Sequence, residues 1–338
     1  MESILTDRWL RGFVAEPTVD EASISLAREV LRRDARHAGF DEVGAAALAT
    51  IASELGQNQI RHARFGSLGV RDIERGGIRG IEIVAADRGE GIDDVARLVA
   101  TEARSKGSLG VGLAAVLELA GEVDFDVRLG EGTCVWARKF VAPVPRARSI
   151  AIVGRPIEGE RVAGDDAGFV RLADGTLVLA LADGLGHGVE AREAAEAAIS
   201  RALASAERSP DAVLLDVHGA LARTRGAVMS IVRLAPGGQL EIAISGNVSV
   251  RVASRKQGAE RRFAGPSFAL GMPGRAPRMH VEHDALGPFE ALVAFSDGIS
   301  SRLASDASLF SLPPLVAARK LLDDFSDARD DALIALVR

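Results

Sequence analysis

Cysteine is nearly missing from this chain: Cys134 is the one thiol in 338 residues. A single cysteine excludes an internal disulfide and fits a reducing compartment. It stands in a strand-like stretch, where a small core residue is the usual role. A basic excess is missing too. The formal net charge is -6, so there is no footprint for general nucleic-acid binding, which needs a basic face. No apolar run is long enough to span a bilayer, and no charged-then-apolar leader opens the sequence. The expectation is a soluble cytoplasmic protein without a nucleic-acid or membrane partner. Internal repeats and low-complexity tracts are also absent from the sequence. What remains is ordinary folded composition, 47% hydrophobic and 26% charged. The length favours two hydrophobic cores over one.

The stretch "VAPVPRARS" at 141–149 interrupts strand-like flanks with two prolines, so it reads as a linker or strand tail. It divides the chain into expected domains at 1–142 and 148–338. In the first, helical spacing predicts a helix over 20–38, with Asp20 as cap and Gly39 as stop, and a second over about 41–63. Strands are expected near 79–86, 122–129 and 133–141, the last two joined by "GEGT". A glycine-rich segment at 105–112 opens a further helix ending near Gly121. In the second half, strands are expected at 150–154, 167–172, 177–182, 227–234, 239–245, 248–253, 290–296 and 332–338. Helices are expected at 188–207, 210–222 and 313–324. Many strands with few helices between them suggest antiparallel sheets covered by helices.

Three stretches of the first half carry chemistry. In "ASELGQNQIRHA" (52–63), Glu54 and Asn58 are four apart and share a helix face with Ile51 and Leu55. A carboxylate and an amide set into an apolar stripe need a ligand, a metal ion or a hydrogen-bond network, or else line a solvated edge. In "IEIVAADRGEGI" (81–92), Ile81, Ile83, Ala85 and Asp87 alternate, which puts the Asp87 carboxylate on the inward face of a strand. Gly89 and Gly91 follow and permit close backbone approach. Such a carboxylate suits an exocyclic amine such as that of adenine, or simply a tight turn. In "SKGSLGVGLAAVLELAG" (105–121), Gly107, Gly110 and Gly112 precede helix amides able to bind phosphate, with Lys106 alongside.

These motifs, in this order, resemble the N, G1 and G2 boxes of the GHKL ATPase superfamily, and within it the RsbT-like anti-sigma-type serine kinases. The resemblance spans about 20–141 and implies a Bergerat α/β sandwich that binds ATP. It implies that Asn58 ligates Mg2+, that Glu54 orients or deprotonates the attacking hydroxyl and that Asp87 holds adenine. Gly89, Gly91, Lys106, Gly107, Gly110, Gly112 and Thr133 complete the implied nucleotide site. Catalysis would then rest on positioning and charge neutralisation.

In the second half, "VLALADGLGHG" and "EALVAFSDG" are two apolar runs that end on aspartate and glycine, at Asp183 and Asp297. "AGDDAGF" (163–169) and "ARDDALIALVR" (328–338) add acidic spots beside strands. Hard divalent cations take oxygen ligands of this kind, and two ions about 4 Å apart can clamp a phosphoryl group. The set resembles the type 2C protein phosphatases, in their SpoIIE-like, RsbX-like branch, over about 148–338. It implies an α-β-β-α sandwich, two Mn2+ or Mg2+ ions, and Asp165, Asp183 with the carbonyl of Gly184, Asp297 and Asp330 as ligands. Asp166 and Asp331 stand beside two of these and leave the choice open. His187 reads as a loop residue and His62 as a helix-end residue.

Together the resemblances imply an α+β protein that is bifunctional. One half would phosphorylate a STAS-type partner, an anti-sigma antagonist or stressosome scaffold, and the other would remove such phosphates. The alternative is a phosphatase joined to an ATP-binding docking module without kinase activity.

Overall fold

The computed structural model describes residues 4–92, 111–255, 260–274, 278–303 and 308–338. The chain forms two compact units, Met1–Ser149 and Ile150–Arg338.

The first unit contains α1 (Ile4–Trp9), β1 (Val14–Thr18), α2 (Glu21–Ala38), α3 (Glu42–His62), β2 (Ala63–Arg75), β3 (Ile78–Gly89), α4 (Val111–Leu119), β4 (Glu122–Arg128) and β5 (Gly132–Phe140). Its strands run in the order β1-β2-β3-β5-β4, all antiparallel. The caps of α2 are those the sequence predicts. Asp20 accepts from the Ser23 amide, the Ser23 hydroxyl returns a bond, and Gly39 closes the helix at φ 99°. The strand β2 and the edge strand β1 lie outside the expected set. Gly66 and Gly69 make β2 look like a loop. Added side chains would press Gly66 against Gln59, at 2.7 Å, and Gly69 against Phe13 and Val84, at 2.9 Å. Those glycines serve close packing, and a strand runs through them. Helix α3 lies on β2 and β3, with Gly56 letting it approach Leu68.

The second unit contains β6 (Ile150–Arg155), β7 (Asp165–Arg171), β8 (Leu177–Gly184), α5 (Val189–Ala204), α6 (Pro210–Ala220), β9 (Ala227–Leu234), β10 (Gln239–Ser245), β11 (Ser249–Ser254), β12 (Glu260–Phe263), β13 (Glu282–Ala285), β14 (Glu290–Phe295), α7 (Ser308–Ser311), α8 (Pro314–Phe325) and β15 (Ala332–Val337). One sheet orders β6-β15-β14-β11-β12 and the other β13-β10-β9-β8-β7. Their facing sides build one apolar layer, which includes Ile152, Leu179, Leu181, Val250 and Leu333. The outer side of the second sheet, with Val178, Ala180 and Ala182, is sealed by Ala195, Ala198 and Ile199 of α5 and Val213 and Val217 of α6. Helix α8 covers β6 and β15. This is an α-β-β-α sandwich. The short edge strands β12 and β13, brief and largely polar, and the one-turn α7 lie outside the expected set.

Candidate functional site

Along β8 the odd residues Leu177, Leu179 and Leu181 point into the layer between the sheets. Asp183 continues that alternation. The strand therefore delivers a carboxylate at the end of the inter-sheet layer, where the core opens. Asp165 on β7 is its direct cross-strand partner, while Asp166 pairs with Ala182. Successive strand residues face opposite sides, so Asp165 joins Asp183 and Asp166 turns to the other face.

The strand end is built so that it admits no side chain. A Cβ on Gly184 would overlap the Ala191 carbonyl oxygen at the first turn of α5. Gly186 and Gly188 then take φ 91° and 76°, values that favour glycine. On the facing sheet, a Cβ on Gly298 would overlap the Asp331 carbonyl oxygen. The Asp-Gly pairs thus let two backbones close around the acids.

Four carboxylates converge. Asp183 and Asp297 lie close enough for Asp297 to raise the Asp183 carboxyl. Asp165 is buried. Its carboxyl is pushed up by burial, opposed by a hydrogen bond from Ser296 and reinforced by the charges of Asp331, Asp297 and Asp330. Asp183 is raised by burial first, then by Asp165 and Asp297. Asp330 is raised by burial and by Asp297. Asp331 behaves differently. Its two oxygens accept from the amides of Ile157 and Gly164, each at 2.7 Å, and it is 3% exposed. It ties β15 to the loop ahead of β7, whereas Asp330 is exposed and faces Asp297.

The acids fit divalent cations on one further observation: Oδ2 of Asp165 is buried without a hydrogen-bond partner. A buried carboxylate oxygen left so is costly unless a cation or water meets it. Among the described residues no group of three acids, histidines or cysteines is already arranged as a metal cage. His187 is exposed and lies 3.4 Å from Glu160, so it reads as a loop residue. Asn247 and Ser296 were missed by sequence reasoning. Asn247 donates from Nδ2 to Asp297 at 2.6 Å. The signal for Ser296 was its place beside Asp297 in "FSDG".

In the first unit, Asp87 and Thr133 are cross-strand partners on β3 and β5. Oδ1 of Asp87 accepts from the Gly89 amide at 2.9 Å and the Thr133 amide at 3.3 Å. Burial lifts its carboxyl to about 6, against the pull of those two amides. Glu54 and Asn58 are half-buried on α3. The start of α4 meets both: a Cβ on Gly112 would stand 2.7 Å from Oε2 of Glu54 and 3.6 Å from Oδ1 of Asn58. Gly91 adopts φ 76°, and its missing Cβ leaves room for the Arg128 carbonyl, at 3.0 Å. That space serves the chain's own backbone. Gly89 is similar, crowded by Asp87 and the His62 carbonyl, each at 3.0 Å. Lys106, Gly107 and Gly110 lie outside the described residues.

Comparisons with known proteins follow this division. The profile of the histidine kinase-like ATPase domain matches residues 18–139. That of stage II sporulation protein E (SpoIIE) matches residues 173–337, so Asp165 stands ahead of the matched stretch. Over 121 residues the chain is 34% identical to the serine/threonine-protein kinase RsbT of Bacillus subtilis (strain 168), covering 36% of this chain and 91% of that protein. A solved chain from work on the bacterial stressosome, a modular system adapted to control secondary messenger signalling, aligns with TM-score 0.53 and 27% identity. It covers 57% of this chain and 100% of that chain. RsbX in complex with magnesium aligns with TM-score 0.47 and 21% identity, over 55% of this chain and 92% of that one. No helix among the described residues is long and apolar enough to cross a membrane.

Proposed function

We propose, for a chain that belongs to the RsbT kinase family through its first unit and joins to it a SpoIIE-type phosphatase-like unit, a bifunctional switch in a bacterial partner-switching pathway. The first unit binds MgATP and phosphorylates a serine or threonine on a STAS-type partner. The second hydrolyses such phosphoserine or phosphothreonine with Mn2+ or Mg2+. The observation that carries the reading is the meeting of Asp165, Asp183, Asp297 and Asp330 at one end of the sandwich.

In the second unit those four acids and the Gly184 carbonyl would hold the cations. When bound, the cations supply the positive charge that neutralises a phosphoryl group and lowers the pKa of water. The residues of the chain do the rest. Ser296 orients Asp165, and Asp331 anchors the loop that carries it. Gly184 and Gly298 keep the strand ends close.

In the first unit, Asp87 has one oxygen held by two backbone amides. Its other oxygen is left to accept from the adenine amine. Asn58 would hold Mg2+, and the Gly112 end of α4 would face the phosphates, with Lys106, Gly107 and Gly110 completing the cradle. Glu54 would accept or orient the proton of the attacking hydroxyl, a task for a carboxylate at hydrogen-bond reach.

The test uses the full chain with a purified STAS-domain partner. MgATP should place phosphate on the partner, read by intact mass. Removing ATP and adding Mn2+ should then strip it. Absence of transfer under MgATP removes the kinase half of the proposal. Hydrolysis that survives Asp297→Asn removes the phosphatase half.

A further inference from the structure

Asp297 is the hub of the acidic cluster. Its charge raises Asp165, Asp183 and Asp330. Yet Asp297 is exposed and lies two residues beyond Phe295, the last residue of β14. Nothing in a strand ladder fixes its carboxylate. The contact that does is the 2.6 Å bond from Nδ2 of Asn247.

Asn247 is delivered by a turn with little freedom. It links β10 to β11. Ser245 before it is fully buried and donates its hydroxyl to the Phe268 carbonyl at 2.7 Å. Gly246 donates its amide to the Pro266 carbonyl at 2.8 Å. It takes φ 92°, and a Cβ there would overlap the Val228 side chain. Val248 after it is buried at 3% exposure. The amide of Asn247 is thus presented from a fixed point, while its side chain stays at the surface.

The residue type matters. A lysine here would place a fixed positive charge where a cation must sit. An aspartate would add another like charge to a crowded set. A primary amide orients a carboxylate oxygen and adds no net charge.

We propose that Asn247 is the positioning residue of the phosphatase centre: it holds Asp297 in the orientation that binds the divalent cation. This rests on the phosphatase reading above. Second-sphere partners of metal ligands typically govern about 10–100-fold in metal affinity.

The experiment measures Mn2+ binding to the metal-stripped full chain, by the electron paramagnetic resonance signal of free Mn2+. Metal-free melting is followed in parallel. Asn247→Ala and Asn247→Asp should each weaken Mn2+ binding about 10–100-fold. Because the side chain is exposed, metal-free melting should stay within about 2 °C of the parent. With p-nitrophenyl phosphate, half-activating Mn2+ should rise while kcat at saturating Mn2+ is largely kept.

Unchanged Mn2+ affinity in Asn247→Ala overturns the proposal. So does Asn247→Asp binding as tightly as the parent or more so, since position 247 would then act through its oxygen as a ligand. Asp297→Asn separates this from failure of the phosphatase reading. If the parent binds no Mn2+, or Asp297→Asn binds like the parent, both inferences fall. If Asp297→Asn loses Mn2+ and Asn247→Ala does not, the positioning role alone falls.

Discussion

Asp330 and Asp331 are neighbours with the same chemistry, and the structure gives them opposite jobs. This can be tested by stability alone. Replacing Asp331 with alanine orphans two amides, those of Ile157 and Gly164, each now bonded at 2.7 Å. An unsatisfied buried donor costs about 1–3 kcal/mol; the Gly164 amide is buried and the Ile157 amide partly so, and with about half the cost for the latter the pair sums to roughly 1.5–4.5 kcal/mol. For a unit of this size a kilocalorie moves Tm by about 2–4 °C, so the expected fall is roughly 3–18 °C. Asp330 is exposed, and its carboxylate accepts from its neighbour's amide at 2.9 Å. Asp330→Asn should therefore melt within about 2 °C of the parent and show its loss in Mn2+ affinity. The melts belong in EDTA, read by far-ultraviolet circular dichroism. Tryptophan fluorescence would miss them, because Trp9 and Trp136 both lie in the first unit. If Asp331→Ala melts like the parent while Asp330→Asn melts low, the two roles are reversed and the reading of this strand end is wrong.

Three further outcomes are expected. Asp165 and Asp183 have folded-state carboxyls raised above an unfolded value of about 3.9. Their contribution is present in full below that value and drains away as pH rises through the folded one. The metal-free chain should lose urea resistance from about pH 4 upward. Asp183→Asn should flatten that slope, and a variant as steep as the parent refutes the electrostatic account. Asp87 sits at about 6 and must be ionised to accept from adenine. Nucleotide affinity should weaken as pH falls through 6, approaching tenfold per unit below it, in a fluorescent-nucleotide titration. Affinity that is flat from pH 5 to 8 would remove Asp87 from the adenine site. Glu54→Gln should keep nucleotide affinity within about twofold and lower phosphoryl transfer by about 10²–10⁴. Intact mass of the partner reads this, and transfer at the parental rate excludes Glu54 from proton handling.

The regular elements of both units were legible where alternation or caps were clear, as in β8, β9 and α2. They were illegible where glycine served packing. Gly66 and Gly69 look like breaks in β2, yet each makes room for a neighbour, Gln59 in one case and Phe13 and Val84 in the other. Gly91, read from the sequence as permitting close approach, has the Arg128 carbonyl 3.0 Å from where a Cβ would stand. Periodicity along one strand cannot report what lies across from it. The same limit applies to Asp165 and Asp166. Their order carries no information about facing, whereas the register Asp165 with Asp183 decides it. Asn247 was invisible for a stronger reason. Its meaning depends on Asp297, fifty residues away in sequence, and the β10–β11 turn in "ISGNVSV" carries no chemistry by itself.

On the proposed reading, two opposed activities on one chain raise a control problem that neither site answers alone. A shared chain fixes the copy number of the two units at one each, so expression cannot shift their balance. Linkage raises the local concentration of both at any common target, which speeds the forward and reverse steps together. The balance must then follow occupancy. On the proposed reading the first unit would answer to MgATP through the half-buried carboxylate of Asp87 and the amide of Asn58 on α3. The second concentrates four carboxylates whose repulsion is relieved only by cations or protons. Its affinity for divalent ions would therefore be tied to pH through Asp165 and Asp183. Acidification that protonates those groups should suppress the phosphatase through its metal. Asp87, at about 6, takes up its proton at lower pH than Asp165 and Asp183 do. Partner phosphorylation followed at fixed ATP and Mn2+ across pH 5.5 to 8 should thus rise where the acid cluster loses its cations before Asp87 gains its proton. A phosphatase-to-kinase ratio that stays constant over that range would show that the two sites do not differ in proton linkage, and control would have to come from the partner.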